Sequence, residues 1–185
     1  MSIFKSKGMI LKIDKIKPGE FLYTIFTRDY GKIKCNKKLS KQEKTLDLGY
    51  VVNFEIITKE NVSIHKISNI KILSEYKNEK KTFSEINKYL NLLAKVYKNT
   101  PFGSPIFELY DLLETINNLS DLNETKLVLA RLKVVSIFGE LGENHENETV
   151  RKILKFINAN KIDRILKLTG ISEDVLGELE KVDRS

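Results

Sequence analysis

Apolar and polar positions alternate with a period of two through the first part of the chain. Met9, Leu11 and Ile13 alternate with Ile10, Lys12 and Asp14, and Pro18-Gly19 then marks a turn. Phe21 to Thr27 is rich in aromatic and β-branched residues. Arg28-Asp29-Tyr30-Gly31 follows as a compact turn in which Gly31 is free to take positive φ. From Lys32 to Cys35, Ile33 and Cys35 share one face while Lys32 and Lys34 share the other, which predicts a hairpin with one wet, basic face. A polar stretch, 36–47, precedes two more strand-like runs, Val51 to Thr58 and Val62 to Ile72, with a turn near Glu60-Asn61 between them. Five short strands within about 65 residues fit a small barrel or sandwich. The five-stranded OB barrel is the commonest closed solution of that size that also binds nucleic acid.

The period changes after residue 80. Thr82-Phe83-Ser84-Glu85 is a capping box. Ile86, Tyr89, Leu90, Leu93, Val96 and Tyr97 then form the stripe of an amphipathic helix, which Thr100-Pro101 breaks. Ser104-Pro105 predicts the start of a second helix, with Ser104 as cap, Pro105 in the first turn, and a stripe from Ile106 to Ile116. Asn123 caps a third helix running to about Phe138. That helix is apolar nearly all round, as a central bundle helix would be, with Gly139 and Gly142 as stop signals. Shorter helices are expected at 150–157, 162–168 and 175–179. The expected fold class is α+β, strands then helices: an OB-type barrel over 1–76, a polar linker at 77–81, and an α-helical domain over 82–185.

Charge sharpens this division. The 185 residues carry a net +7. Met1 to Lys81 holds 18 basic and 9 acidic residues, a balance of +9, whereas Thr82 to Ser185 stands at −2. Such asymmetry suggests a polyanion-binding module joined to a second element. A lysine-rich surface that merely solubilises the chain would look the same on composition. No run approaches the roughly 18 to 20 apolar residues of a membrane span. The polar, basic stretch from Met1 to Gly8 lacks the apolar core of a secretory signal, so a cytoplasmic, nucleoid-associated protein is expected. The single cysteine, Cys35, can form neither an internal disulfide nor a metal cluster.

Lys32, Lys34, Lys37, Lys38, Lys41 and Lys44 project from one hairpin and the loop after it, and are candidates for neutralising phosphates. Arg28 and Tyr30 sit at the hairpin turn. Tyr30 could stack on a base or pack locally, and Phe21 and Tyr23 read as core aromatics. Arg131 and Lys133 interrupt the third helix, either beside a groove suited to an acidic, hydrophobic peptide tail or as snorkelling side chains. Catalysis has little support. His65 falls in a strand pattern and His145 in a charged loop. No Ser/His/Asp or Cys/His spacing, P-loop or G-x-G-x-x-G string is present.

Two strings, Lys7-Gly8-Met9-Ile10-Leu11 and Phe26-Thr27-Arg28-Asp29-Tyr30-Gly31-Lys32-Ile33, resemble the opening of the DNA repair protein RecO family. In that family a glycine leads strand one and a Phe-Thr-x-x-Tyr-Gly-Lys segment closes the first hairpin. Leu129-Ala130-Arg131-Leu132-Lys133, with Gly139-Glu140-Leu141-Gly142, is similar to the long helix and Leu-Gly stop of its helical domain. Val150 to Phe156 is in the style of its late helices. The resemblance implies a non-enzymatic recombination mediator without a cofactor. Such a protein would bind single- and double-stranded DNA, work with a RecR-like partner, and capture the C-terminal tail of single-stranded-DNA-binding protein. Two departures stand out. The family's four-cysteine zinc element is replaced by cysteine-free 143–149, so no zinc is expected. Its Lys-Gly-Ala-Arg-like turn reads Asn36-Lys37-Lys38-Leu39-Ser40 here, which keeps charge but loses Gly and Arg. The alternatives are a non-catalytic protein-interaction module and an RNA-binding OB protein.

Overall fold

The computed structural model describes residues 2–40, 43–58, 62–76 and 80–182. Among these residues five strands come first: β1 (Ser2–Lys17), β2 (Glu20–Thr27), β3 (Gly31–Lys38), β4 (Val51–Thr58) and β5 (Ile64–Ser74). Six helices follow among the described residues: α1 (Phe83–Asn99), α2 (Phe107–Asn118), α3 (Glu124–Ile137), α4 (Glu148–Ala159), α5 (Ile162–Ile165) and α6 (Glu173–Val182). The chain is therefore α+β, with strands before helices.

The strands close into a barrel in the order β1-β2-β3-β5-β4. Neighbours run antiparallel except β3 and β5, which pair in parallel from Lys34–Ile64 to Asn36–Lys66. β1 serves two neighbours with different parts of its length. Ser2 to Met9 pairs with β4, and Gly8 to Lys17 pairs with β2. The interior holds Ile10, Tyr23, Ile25, Ile33, Cys35, Val52, Phe54, Ile56 and Ile67. In β1 it is therefore Ile10, grouped by the sequence pattern with Lys12 and Asp14, that turns inward, and the register shifts just after it. Gly8 is required where β1 crosses β2, because a Cβ there would lie 2.5 Å from the Ile25 methyl.

The chain divides into two compact units, Met1–Lys77 with Leu93–Tyr110, and Asn78–Leu92 with Asp111–Ser185. The first unit thus includes a strap, 100–105, which runs along β3. Phe102 bridges Lys32 in parallel, and the Gly103 amide donates to the Lys32 carbonyl at 3.0 Å. This strap explains a departure from the sequence expectation. α2 begins at Phe107, not at Ser104-Pro105, because Ser104 backbone is pressed against Gly31. An ideal Cβ on Gly31 would lie 2.3 Å from the Ser104 carbonyl oxygen. Docking of backbone on backbone overrides a local helix-start signal.

In the second unit α3 packs on α4, α5 and α6, with Val128, Leu129, Leu132, Val135, Val150, Leu154, Ile157, Ile165 and Leu179 at the centre. The Asn123 side chain accepts from the Lys126 amide at 3.0 Å and caps α3, as expected. Gly139, at φ 74°, ends that helix. The Thr82/Glu85 capping box forms reciprocally at the start of α1. No helix among the described residues is long and apolar enough to cross a membrane.

Candidate nucleic-acid interface

The turn between β2 and β3 is built by Thr27. Its hydroxyl donates to the Gly31 carbonyl and accepts from the Tyr30 amide, both at 3.0 Å. Gly31 takes φ 65°, as the turn reading expected. Arg28, Asp29 and Tyr30 are thereby held outward on the surface. The Tyr30 ring is 40% exposed and lies 6.4 Å, centroid to centroid, from Phe4, itself 46% exposed. Sequence reasoning missed Phe4 because 1–8 read as a polar tail. The signal was present: Phe4 and Ser6 alternate with Lys5 and Lys7, so the period of β1 extends back to Ser2.

The six lysines proposed from the sequence do not form one wet face. Lys32 is only 5% exposed. Its ammonium donates to the Tyr97 carbonyl at 2.5 Å and lies 4.8 Å from the Tyr97 ring centroid and 4.4 Å from that of Phe102. Burial pushes its pKa below the ordinary lysine value, and Lys34 nearby adds to the effect. The expectation that Lys32 meets solvent on a basic face is therefore corrected. The strap and α1 cover that part of the strand, and Lys32 clamps one of the last carbonyls of α1. Lys34 is half-buried, 5.3 Å from the Phe102 ring. Lys37 pairs with Glu43 at 2.7 Å, and Lys44 pairs with Glu75 at 2.5 Å. Those partners hold Glu43 and Glu75 below the usual carboxylate range, the Glu43 shift aided by the Ser40 amide. Lys38 is exposed, and Lys41 lies outside the described residues.

The helical candidates also turn inward. Lys133 is 5% exposed, with its ammonium 3.4 Å from the Ile157 carbonyl. It belongs to the interior of the helical unit, so neither a peptide-facing nor a snorkelling position describes it. The Arg131 guanidinium donates to the Glu180 carbonyl at 3.0 Å, in the last turn of α6. Cys35 lies inside the barrel with its thiol pushed up to about 12 by burial. The His145 imidazole accepts from the Asn147 amide at 3.1 Å. No group of three or more His, Cys, Asp or Glu side chains able to hold a metal occurs among the described residues.

No protein-family model matches the chain, and no curated protein matches it.

Proposed function

We propose that this chain binds DNA non-catalytically through an OB-type barrel and acts as a recombination mediator in DNA repair, in the manner of the RecO family it resembles. The observation that carries the binding reading is the combination of strand order and charge. A five-stranded barrel of order β1-β2-β3-β5-β4 lies in the basic part of the chain, which stands at +9 up to Lys81 against −2 for the remainder. OB barrels bind oligonucleotides on such surfaces, and a basic module attracts phosphates by counterion release. Arg28, Lys34 and Lys38 on the outer surface, and the Tyr30 ring, supply cations and a stacking face beside one another in sequence. The mediator role, the RecR-like partner and capture of an acidic single-stranded-DNA-binding-protein tail rest on the resemblance.

Anisotropy of a labelled single-stranded oligonucleotide, followed against salt, tests the binding reading. Expected is affinity that falls linearly on a log-log plot with salt, with duplex DNA bound as well. No detectable binding at low salt would leave the protein-interaction alternative. Clear preference for RNA over DNA of the same sequence would favour the RNA-binding alternative. Annealing of complementary strands coated by single-stranded-DNA-binding protein tests the mediator role.

A further inference from the structure

We propose that the outer face of β1, β4 and β5 is a groove for a short stretch of single-stranded nucleic acid, with Lys5, Lys7 and Lys71 on its phosphates and Asn53, Asn69 and Glu55 on a base. This deepens the nucleic-acid reading above and rests on it. It moves the principal contact away from the β3 lysines to residues that the sequence pattern did not single out.

Strand register builds the groove. Lys7 pairs with Asn53, and Asn53 with Lys71. Two residues away, Lys5 pairs with Glu55, and Glu55 with Ser68. Directly opposed residues on one face of a sheet bring their side chains within roughly 5 Å. The result is two adjoining polar rows, Lys-Asn-Lys and Lys-Glu-Ser, across three strands. All of these but Ser68 line a cavity of about 500 Å³, together with Asn69 and with Asp29 from the β2–β3 turn. β5 is irregular here. Its register shifts between the Asn53 and Glu55 pairings, and Asn69 takes φ 50°, a left-handed conformation uncommon outside glycine. Bulges of this kind re-aim a side chain. The Asn69 amide donates to the Glu55 carboxylate at 2.7 Å, and the Ser68 hydroxyl reaches the same oxygen at 3.4 Å.

The mixture of groups identifies the ligand class. A site for a bare anion would not place Glu55 and Asp29 among its lysines. A nucleotide needs both kinds of group. Its phosphates want cations, and its base edge presents donors and acceptors that amides and carboxylates match: a carboxylate takes a cytosine amino group, and an amide pairs with adenine. Lys5 and Lys7 are two residues apart on one strand face, about 7 Å along β1, a spacing suited to successive phosphates on an extended strand. Among the described residues, neither Lys5 nor Lys71 has an ion-pair partner.

The test is anisotropy with a labelled oligo-dT on the full chain, comparing wild type with Lys5→Glu/Lys71→Glu. Lys155→Glu, an exposed position on α4, is the charge control. Expected is a loss of tenfold or more in affinity for the double variant, with a salt slope shallower by about two phosphates, and little change for the control. As an independent readout, bound oligonucleotide should shield Lys5, Lys7 and Lys71 of the wild type from amine acetylation, located by mass spectrometry. That measurement decides the matter even where the variant misfolds. If wild type binds but neither affinity nor acetylation at these lysines responds, the groove assignment is overturned and the broader reading stands. If wild type does not bind at all, both fall.

Discussion

Replacing Lys32 by methionine tests whether this residue is a clasp rather than a phosphate ligand. The substitution keeps most of the side-chain volume, so no large cavity opens. It removes a hydrogen bond from a charged donor to the Tyr97 carbonyl, worth about 1.5–3 kcal/mol. It also removes two ring contacts, at 4.8 and 4.4 Å, worth about 0.5–2 kcal/mol together when desolvated. Against this, the variant no longer has to strip water from an ammonium, a penalty of several kcal/mol in a true interior. The balance falls against methionine because the Tyr97 carbonyl, among the last four of α1, is left without its donor. Expected is a destabilisation of about 1–3 kcal/mol, or about 2–4 °C in Tm per kcal/mol for a chain of this size.

The pH dependence gives a second handle. Lys32 has a folded pKa below the ordinary 10.5, through burial first and Lys34 second. Between that lowered value and 10.5 the unfolded chain binds more protons than the folded one. The stability of wild type therefore rises, relative to a chain without Lys32, as pH climbs through this window. Urea unfolding of wild type and Lys32→Met from pH 7 to 10.5 should show the gap widening, since titrations common to both chains cancel. Oligonucleotide affinity at neutral pH should change less than about threefold, because an enclosed ammonium neutralises no phosphate. A variant as stable as wild type at pH 7, or a tenfold loss of affinity in a folded variant, would refute the clasp, and a gap that closes as pH rises would refute the burial that lowers the Lys32 pKa.

Gly31→Ala should destabilise the barrel unit by more than about 2 kcal/mol, because the site combines φ 65° with a Cβ position 2.3 Å from Ser104 backbone. Thermal unfolding by circular dichroism measures it, and a shift under about 2 °C would show that the strap is not docked as described. Cys35, pushed up to about 12 inside the barrel, should react with a disulfide reagent at pH 8 at least about a hundredfold more slowly in the native chain than in urea. Equal rates would mean that the barrel interior opens freely.

Much of the architecture was legible because each element carried its own period. Alternation marked the strands, and the capping residues Thr82 and Asn123 stand where their helices begin. The failures share a cause. Lys32 and Lys34 alternate with Ile33 and Cys35 as a wet face would, yet Tyr97 and Phe102, more than sixty residues later, cover Lys32. Ser104-Pro105 has the chemistry of a helix start and is taken instead by Gly31. Lys133 sits on a helix buried on nearly every side, so a lone lysine there had no surface to reach. Local pattern reports which faces an isolated element would prefer. It carries no information on which faces a distant segment will occupy.

Burial and pairing remove a lysine from a phosphate-binding surface in different degrees, and this distinction decides how the β3 group should be regarded. Lys37–Glu43 and Lys44–Glu75 are ion pairs at the surface. Exposed pairs of this kind are commonly worth less than about 1 kcal/mol, so a phosphate can displace the carboxylate at small cost. Glu43 and Glu75 nonetheless stay ionised at neutral pH, since both are held below the usual carboxylate range. Each pair is then electrostatically neutral seen from a distance, and contributes little to steering a polyanion. Lys32 makes no contact with a phosphate, because the strap must lift before its amine meets solvent, although its charge has no carboxylate to cancel it. Long-range attraction therefore comes from lysines without carboxylate partners, and in the barrel these include Lys5 and Lys71. Residues that draw the strand in and residues that grip it need not be the same, and the groove across β1, β4 and β5 is where the two sets coincide.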